Sequence, residues 1–226
     1  MIIIGDIHSC AIELERIIKE NPNQEYVSVG DTFDRGQLGD KVWELIHQYK
    51  IKAVMGNHEY KLLSYLKGER SNLPWHYYVF LDKFAKRYKI TDLILYLENL
   101  PYLIHSDNII ISHGAINIEN PSQPDLFINV FGKIDESKKV PKNPKRGWWN
   151  DYDKNENPFV CYGHVVFDKP NLMKNSLGLD TGACHGGGLS YYNTETKEIK
   201  TVESKDYFRQ LKQITPIVRH KDQKIN

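Results

Sequence analysis

The sequence predicts a layered α/β fold in a single domain. Short apolar runs of strand length alternate along the chain with longer stretches in which apolar residues recur at helical spacing. The chain has 226 residues, which suits one domain with a substantial core better than two. Apolar residues make up 40% and charged residues 26% of the total, as in ordinary globular proteins. We therefore expect one domain over residues 1–226.

The first part of the chain alternates strands with helices. The expected strands are apolar runs at residues 2–4, 26–29 and 53–55. Between them, two stretches carry apolar side chains at helical spacing among charged ones, at residues 11–20 and 40–49. From about residue 58 to about residue 100 the pattern is helical throughout, which predicts a helical excursion between strands.

Strands are expected again in the second part of the chain, at residues 103–105, 109–111, 160–162, 176–179 and 189–192. Residues from about 117 to about 158 are polar and contain five prolines, so we expect a long loop there. A loop of that length inside a compact domain is usually functional or partly mobile. The C-terminal tail, about 207–226, is basic and mixed, which predicts a solvated surface segment.

The bulk composition argues against several classes of protein. The formal net charge is +1, so no global attraction draws the chain to nucleic acid or membrane. No run approaches the roughly 18 apolar residues that a membrane span needs. The N-terminus lacks the basic lead and long apolar run of a secretory signal. Cys10, Cys161 and Cys184 fit neither a disulfide framework nor a zinc finger, so we expect free thiols in a cytoplasmic protein.

One local pattern occurs five times in the chain. An apolar run ends in glycine or serine, and a side chain able to bind metal follows at once. Glycine supplies the backbone freedom that a sharp turn needs at the end of a strand. The side chains at these five junctions are Asp6 and His8, Asp31, Asn57, His113 and His164. Because ligands collect beyond the carboxyl ends of strands in open α/β sheets, we expect all six to meet at one rim.

The chemistry of these six side chains predicts the metal. Carboxylate and amide oxygens together with imidazole nitrogens suit manganese, iron(II) or zinc, and we expect Mn²⁺ with the other two as alternatives. No cysteine joins the set, which argues against a closed structural zinc site. A bridging carboxylate would seat two cations about 3.5–4 Å apart, as two-metal hydrolytic sites require, and Asp31 is the candidate bridge. The sequence therefore predicts a hydrolytic centre with two divalent metal ions.

The same residues resemble the calcineurin-like metallophosphoesterase superfamily. The resemblance is carried by G-D-I-H at residues 5–8, G-D-T-F-D-R-G at 30–36, G-N-H-E at 56–59 and H-G at 113–114. The second and third of these are typical of the serine/threonine phosphoprotein phosphatase branch, and the short chain is similar to its bacterial and bacteriophage lambda-type members. Residues 179–189 are also similar to symmetrical diadenosine tetraphosphate hydrolases. The resemblance implies a β-sandwich flanked by helices, in layers α/β/β/α.

The resemblance also implies a role for each side chain. It implies one metal held by Asp6, His8 and Asp31, and a second held by Asp31, Asn57, His113 and His164. Hydroxide formed between the two cations would attack phosphorus in line with the leaving oxygen. His58, oriented by Asp34, would be the general acid, and Arg35 would bind two phosphate oxygens with its planar fork.

The sequence departs from the superfamily pattern in two places. Ser9 follows His8 where the pattern has glycine; we expect little effect because a small residue still fits, with a different local turn as the alternative. The superfamily also carries a second phosphate-binding arginine ahead of the last metal histidine, where this chain has Asp151. Arg146 is the candidate substitute, and a plain surface role is the alternative.

Several residues near the motifs have weaker claims to a role. His185 lies in a glycine-rich turn and is a candidate for the cleft, with simple exposure as the alternative. Asp180 is a candidate to support a metal-binding histidine, against a simple turn role. We expect the remaining histidines to be ordinary surface or core residues: His47, His76, His105 and His220.

The leading hypothesis for function is a two-metal phosphomonoesterase acting on phosphoproteins. Its substrates would be phosphoserine and phosphothreonine, with phosphotyrosine as an open alternative. The nearest rival is a dinucleoside polyphosphate hydrolase, whose nucleotide substrate needs a pocket for bases. A catalytically silent metal-binding interaction module is a rival of another class, disfavoured by the intact set of His58, Asp34 and Arg35. The near-neutral charge weakens a fourth alternative, a nucleic-acid phosphoesterase.

Overall fold

The computed structural model describes residues 1–132, 147–153 and 157–214. The strands within these ranges are β1 (Ile2–Ile4), β2 (Tyr26–Ser28), β3 (Lys52–Ala53), β4 (Leu103–Ser106), β5 (Ile109–Ser112), β6 (Phe159–Tyr162), β7 (Asn171–Leu172), β8 (Ser176–Gly178), β9 (Leu189–Asn193) and β10 (Ile199–Val202). The α-helices are α1 (Ala11–Glu20), α2 (Gly39–Tyr49), α3 (Asn57–Leu66), α4 (Trp75–Ala85), α5 (Ile90–Glu98), α6 (Trp148–Tyr152) and α7 (Tyr207–Ile214).

The strands form two five-stranded mixed sheets. The first has the order β10-β9-β1-β2-β3, and the second has the order β4-β5-β6-β8-β7. Strands β1, β2 and β3 run parallel in the first sheet, as do β5, β6 and β8 in the second. The remaining pairs are antiparallel. Each sheet therefore has three adjacent parallel strands whose carboxyl ends lie at one edge.

The two sheets pack face to face as a sandwich. Alternate residues of the central strands point into the space between the sheets, as the period of a strand dictates. That core contains Ile3, Val27 and Val54 from the side of the first sheet, packed with Ile111 and Leu177 from the second. All five side chains are fully buried. The predicted β-sandwich is confirmed, and its dry interior makes both sheets rigid supports for the loops at their edges.

Helices cover the outer faces of both sheets. Ile2 and Ile4 point away from the sandwich interior into a large core shared with helices α1 to α5. Helix α1 buries Leu14, Ile17 and Ile18 along one face, while Ile12 on its other face is 58% exposed. On the opposite side of the molecule, a smaller apolar cluster joins the tryptophans of α6 to the outer face of β6. The layer order α/β/β/α agrees with the expected fold.

The structure also contains elements that the sequence pattern did not predict. The edge strands β7 and β10 were missed, because each has few apolar residues to mark it. The described part of the expected loop at 117–158 holds a π-helix over Leu126–Val130 as well as α6. The start of the expected surface tail is helix α7, which buries Leu211. No helix in the described ranges is long and apolar enough to cross a membrane.

Candidate metal centre

The six predicted ligands lie at the carboxyl ends of parallel strands from both sheets. Asp6 and His8 follow β1, Asp31 follows β2, Asn57 starts α3 after β3, His113 follows β5, and His164 follows β6. Within the described residues, two groups of potential ligands each have their donor atoms within 4.8 Å of one another: Asp6 with Asp31 and His113, and His8 with Asp31 and His58. Asp31 belongs to both groups, so its carboxylate lies between them.

Three of the junction glycines are explained either by a close approach of another side chain or by their backbone conformation. A Cβ atom at Gly56 would overlap Oδ1 of Asp31, and one at Gly163 would overlap Oδ1 of Asp6. Only Gly30 takes a conformation that favours glycine, with a φ of +101°. The expectation that these glycines supply turn freedom therefore holds at Gly30, whereas Gly56 and Gly163 are needed so that two carboxylates can approach the backbone.

The backbone of the site is unusual at the ligands themselves. His8, Asp31 and His164 have left-handed φ values of 42°, 51° and 68°, although none is glycine. Ser9, at the first departure from the superfamily pattern, has a φ of 62° and donates a hydrogen bond from Oγ to the carbonyl of Phe33 at 2.6 Å. Such conformations cost energy and persist only where the surroundings hold them. The turn at Ser9 is thus the left-handed turn that glycine would also make.

The carboxylate of Asp31 faces three imidazole nitrogens. Its Oδ2 lies 3.5 Å from Nε2 of His113, 3.7 Å from Nε2 of His8 and 3.8 Å from Nε2 of His58. Its Oδ1 accepts a hydrogen bond from the backbone N–H of His58 at 2.9 Å. The side chain is therefore fixed by the start of α3 with one oxygen directed into the cluster of histidines.

A group of acceptor atoms meets around Asn57. Its Oδ1 lies 3.0 Å from Nε2 of His113 and 2.9 Å from Nδ1 of His164. His113 donates its Nδ1–H to the carbonyl of Val29 at 2.9 Å, and burial lowers its pKa, so the Nε2 that faces Asn57 carries a lone pair. Two acceptors at this distance repel one another unless a cation lies between them. The donor set thus fits a divalent metal ion.

Negative charge is also concentrated beside this group. Asp6 and Asp180 are both buried, and their side chains share a hydrogen bond. Burial, then the charges of Asp180 and Asp31, raises the pKa of Asp6 well above its ordinary value. Burial likewise raises the pKa of Asp180 to about 6. Asp180 therefore supports Asp6 rather than a histidine, and it also has the turn role that was the alternative, since its Oδ1 accepts a hydrogen bond from the backbone N–H of Gly182 at 2.9 Å. A cation beside the two carboxyl groups would favour their ionised forms.

The carboxylate of Asp34 contacts two of the histidines, one with each oxygen. Its Oδ1 lies 2.8 Å from Nδ1 of His8, and its Oδ2 lies 2.5 Å from Nδ1 of His58. Burial and Arg35 lower the pKa of His8 to about 4, against the opposing effect of Asp34. Burial also lowers the pKa of His58, but Asp31 and Asp34 outweigh it and raise that pKa above its ordinary value. The carboxylate of Asp34 thus orients both His8, whose pKa is lowered, and His58, whose pKa is raised.

Arg35 lies across the open side of these two rings. Its Nη1 is 3.0 Å from Nε2 of His8, and its Nη2 is 2.9 Å from Nε2 of His58. Its backbone φ is 66°, and its side chain also hydrogen-bonds the thiol of Cys184. Arg35 is half-buried, and a cation beside the ligand cluster is well placed to meet a phosphate. Arg146, the other arginine expected at the site, lies outside the described residues.

Three contacts of the site come from residues to which the sequence assigned no role. Glu59, the last residue of G-N-H-E, accepts hydrogen bonds from the backbone N–H groups of Asp31 and Thr32, each at 2.7 Å. Tyr77 places its hydroxyl 2.9 Å from Nδ1 of His58. His76 is a buried histidine, within the expected surface or core roles, and its Nδ1 lies 2.9 Å from Oδ2 of Asp34. The motif itself pointed to Glu59, but nothing in the sequence predicts the contact of His76 with Asp34 or of Tyr77 with His58.

His185 belongs to an aromatic cluster at the edge of the site. Its ring centroid is 5.2 Å from that of Phe208 in α7, and Phe208 stacks on Trp75 at 5.6 Å. Trp75 in turn adjoins His76, at 5.7 Å between ring centroids. The cluster connects the C-terminal helix to α4 and so to the residues that surround His58.

A β-sandwich with oxygen and imidazole ligands at the ends of its strands fits a metal-dependent phosphoesterase. The particular family is given by comparison with known proteins. Residues 1–182 match the family of calcineurin-like phosphoesterases, and the chain belongs to that family. Divalent metal ions are its cofactors, in agreement with the ligand groups found around Asp31.

Relatives of similar length match nearly the whole chain. A protein of Oceanobacillus iheyensis named bis(5'-nucleosyl)-tetraphosphatase PrpE [asymmetrical] is 27% identical, over 91% of this chain and 93% of its own. A protein of Anoxybacillus flavithermus with the same name is 28% identical, over 89% and 93%. A crystal structure of a candidate diadenosine tetraphosphatase has a TM-score of 0.72 at 23% identity, covering 90% and 92%. A metallophosphoesterase from Sphaerobacter thermophilus has a TM-score of 0.56 at 12% identity, covering 94% of both chains.

Proposed function

We propose that this protein is a dinucleoside polyphosphate hydrolase, which cleaves a phosphoanhydride bond in a chain of phosphates between two nucleosides. The observation that carries this proposal is the match to relatives named as tetraphosphatases along nearly the full length of both chains. These relatives support the nucleotide hypothesis better than the phosphoprotein hypothesis, to which the G-D-x-x-D-R-G and G-N-H-E motifs alone had pointed.

The six strand-end residues would hold two divalent ions. In this proposal Asp6, His8 and Asp31 would hold one ion, and Asp31, Asn57, His113 and His164 would hold the other. The close grouping of Asp31 with Asp6 and His113, and with His8 and His58, supports two neighbouring positions around Asp31, and Asn57 lies beside His113 and His164. Bound cations at these positions would supply neutralisation of the phosphate charge and a more acidic water for attack. Asp31 is the natural bridge, since its Oδ2 faces histidines of both sets at 3.5–3.7 Å. Manganese is the metal that we expect, with iron(II) and zinc as alternatives.

The chain's own residues then bind the substrate and move the proton. Arg35 binds a phosphate through its planar fork, because it lies at the open side of the ligand cluster. Once the substrate phosphate takes up Arg35, the Nε2 of His58 is free to give a proton to the leaving oxygen, and Asp34 stabilises the charged ring through Nδ1. This proton matters less for a leaving phosphate than it would for an alkoxide. Since a buried imidazolium is costly without such a partner, this pair argues against a silent metal-binding module.

A side-by-side assay with manganese tests this proposal. The substrates are diadenosine tetraphosphate, a phosphoserine peptide and a short 5'-phosphorylated oligonucleotide, and the products are separated by chromatography. We expect kcat/KM for the dinucleotide to exceed that for the peptide by at least about 10²-fold, a gap that substrate-specific contacts can supply. Asp31→Asn should abolish the reaction, while Asp82→Asn, at an exposed aspartate paired with Lys86, should not change it. A peptide rate equal to or above the dinucleotide rate would overturn the proposal.

A further inference from the structure

A cleft opens beside the ligand cluster, on the side of helix α3. It has a volume of about 370 Å³, within the range of small-molecule sites and too small for a folded partner. The described residues that line it are Tyr60, Lys61, Ser64, Glu69, Arg70 and Phe131. Two cations and two aromatic rings among six residues form an unusual combination, and none of these residues has a part in the centre described above.

Lys61 connects the cleft to the metal centre. It follows Asn57 by four residues on α3, so both side chains lie on the same face of the helix. Its charge acts on Asp31, His113 and His164, which places it close to the second metal position. It is half-buried, and no carboxylate among the described residues forms an ion pair with it. A half-buried, unpaired ammonium group is costly unless an anion joins it.

The other lining residues include both charged and aromatic side chains. Arg70 donates its Nε–H to the carbonyl of Asn72 at 2.7 Å, and within the described residues its terminal nitrogens make no further hydrogen bond. Tyr60 and Phe131 meet edge to face, with ring centroids 5.3 Å apart. Glu69 is the one carboxylate among the described lining residues. Such a cleft suits a ligand with several phosphates and one aromatic base.

We propose that this cleft binds the half of a dinucleoside polyphosphate that extends away from the metal centre. Lys61 contacts the phosphate next to the bond that is cleaved, Arg70 contacts the phosphate beyond it, and the base packs on Tyr60 and Phe131. The inference rests on the proposed function, because it identifies how that same site would recognise its substrate. Cation contacts to phosphate are strong when partly desolvated, and base stacking on an aromatic side chain adds to them.

The test measures binding to the full-length, manganese-loaded protein. The probe is a diadenosine tetraphosphate analogue with methylene bridges, which is not hydrolysed, and binding is followed by calorimetry. We expect Lys61→Ala and Arg70→Ala each to weaken binding roughly tenfold, the effect of losing one charge-assisted contact. Lys19→Ala and Arg16→Ala, at exposed positions on α1, are the matched controls and should bind as the wild type does.

A third variant changes the affinity in the opposite direction. Glu69→Gln removes the negative charge that faces the phosphates, so it should tighten binding roughly three- to tenfold. Lys61→Gln keeps most of the length of the side chain. It replaces Lys61→Ala in the test if circular dichroism shows that Lys61→Ala is unfolded. Unchanged affinity in both cation variants, or no change in Glu69→Gln, would overturn the inference.

The outcomes separate this inference from the proposed function. If the wild type hydrolyses diadenosine tetraphosphate but the cleft variants keep its affinity for the analogue, the function stands and the cleft is not its subsite. If the wild type binds the analogue but does not hydrolyse the dinucleotide, and both cation variants bind the analogue more weakly, the cleft is a nucleotide site and the proposed function fails.

Discussion

His8 and His58 lie edge to face with ring centroids 4.9 Å apart, and both turn Nδ1 toward the carboxylate of Asp34. The Nε2 of each ring therefore points away from Asp34 and toward the guanidinium of Arg35. The two rings differ in charge preference, because Arg35 and burial keep His8 neutral while Asp31 and Asp34 favour the charged form of His58. A neutral ring suits a metal ligand and a charged ring suits a proton donor, so one carboxylate serves both functions.

The shared carboxylate predicts that Asp34→Asn damages metal binding as well as catalysis. In the amide, one of the two oxygens of the carboxylate is replaced by an NH₂ donor, so the two positions that face His8 and His58 cannot both accept an Nδ1–H bond. We expect manganese affinity to fall roughly 10–100-fold, as when a partner of a metal-binding histidine is lost, and kcat to fall with it. Calorimetric titration with manganese measures the first effect. Asp40→Asn, which loses only a surface ion pair with Arg87, is the control, and wild-type metal affinity in Asp34→Asn would contradict the shared role.

The role of His58 as proton donor predicts a dependence on the leaving group. His58→Asn should lower kcat roughly 10²–10⁴-fold on an alkyl phosphate, whose leaving oxygen needs a proton. The loss should be much smaller on p-nitrophenyl phosphate and on a phosphoanhydride, because both leaving groups are stable as anions. Steady-state rates of the wild type and of His58→Asn on the three substrates show whether His58 donates a proton to the leaving group. Equal losses on all of them would exclude proton donation.

The crowding around Gly163 predicts a metal defect from a single added methyl group. Gly163→Ala pushes a Cβ into Oδ1 of Asp6, so we expect at least one metal ion per chain to be lost after dialysis. Gly68→Ala is the control. Its site is open but its φ is +77°, so it should cost about 1–2 kcal/mol of stability and leave the metal content unchanged. Metal analysis after gel filtration makes the comparison, and full occupancy in Gly163→Ala would refute the steric explanation.

A carboxylate away from the site predicts how stability depends on pH. The hydroxyl of Tyr88 and the ammonium of Lys41 lower the pKa of Glu44 to about 2. A lowered pKa means that the ionised form stabilises the fold fully above the unfolded-state pKa of roughly 4.3. That contribution disappears as pH falls through about 2. Glu44→Gln should therefore flatten the fall in unfolding free energy between pH 5 and pH 2, as urea titrations would measure; an unchanged slope would count against it.

Much of the site could be predicted because its ligands immediately follow strands. A short apolar run is visible in the sequence, and the residue after it must lie at the sheet edge, so Asp31 and His113 could be placed together. Asp180 follows β8, which lies parallel to β6, but Leu179 rather than glycine precedes it and the pattern did not include it. Its position beside Asp6 becomes visible only once the order of strands is known.

Other parts of the site depend on contacts that spacing along the chain does not encode. His76 and Tyr77 lie on α4, and their approach to Asp34 and His58 is set by how that helix packs on the sheet. Phe208 lies in a stretch with a strongly polar composition, so its contact with Trp75 depends on where α7 folds back. In each case the deciding quantity is the tertiary orientation of a helix, for which periodicity gives the buried face but not the partner.

The central claim is that two cations share the carboxylate of Asp31. Crystals of the manganese-loaded protein, measured at the manganese absorption edge, test it most directly through the anomalous difference map. Two peaks about 3.5–4 Å apart, with Asp31 between them and Asn57 beside the second, are the predicted result. A single peak, or two peaks that do not share Asp31, would contradict the account.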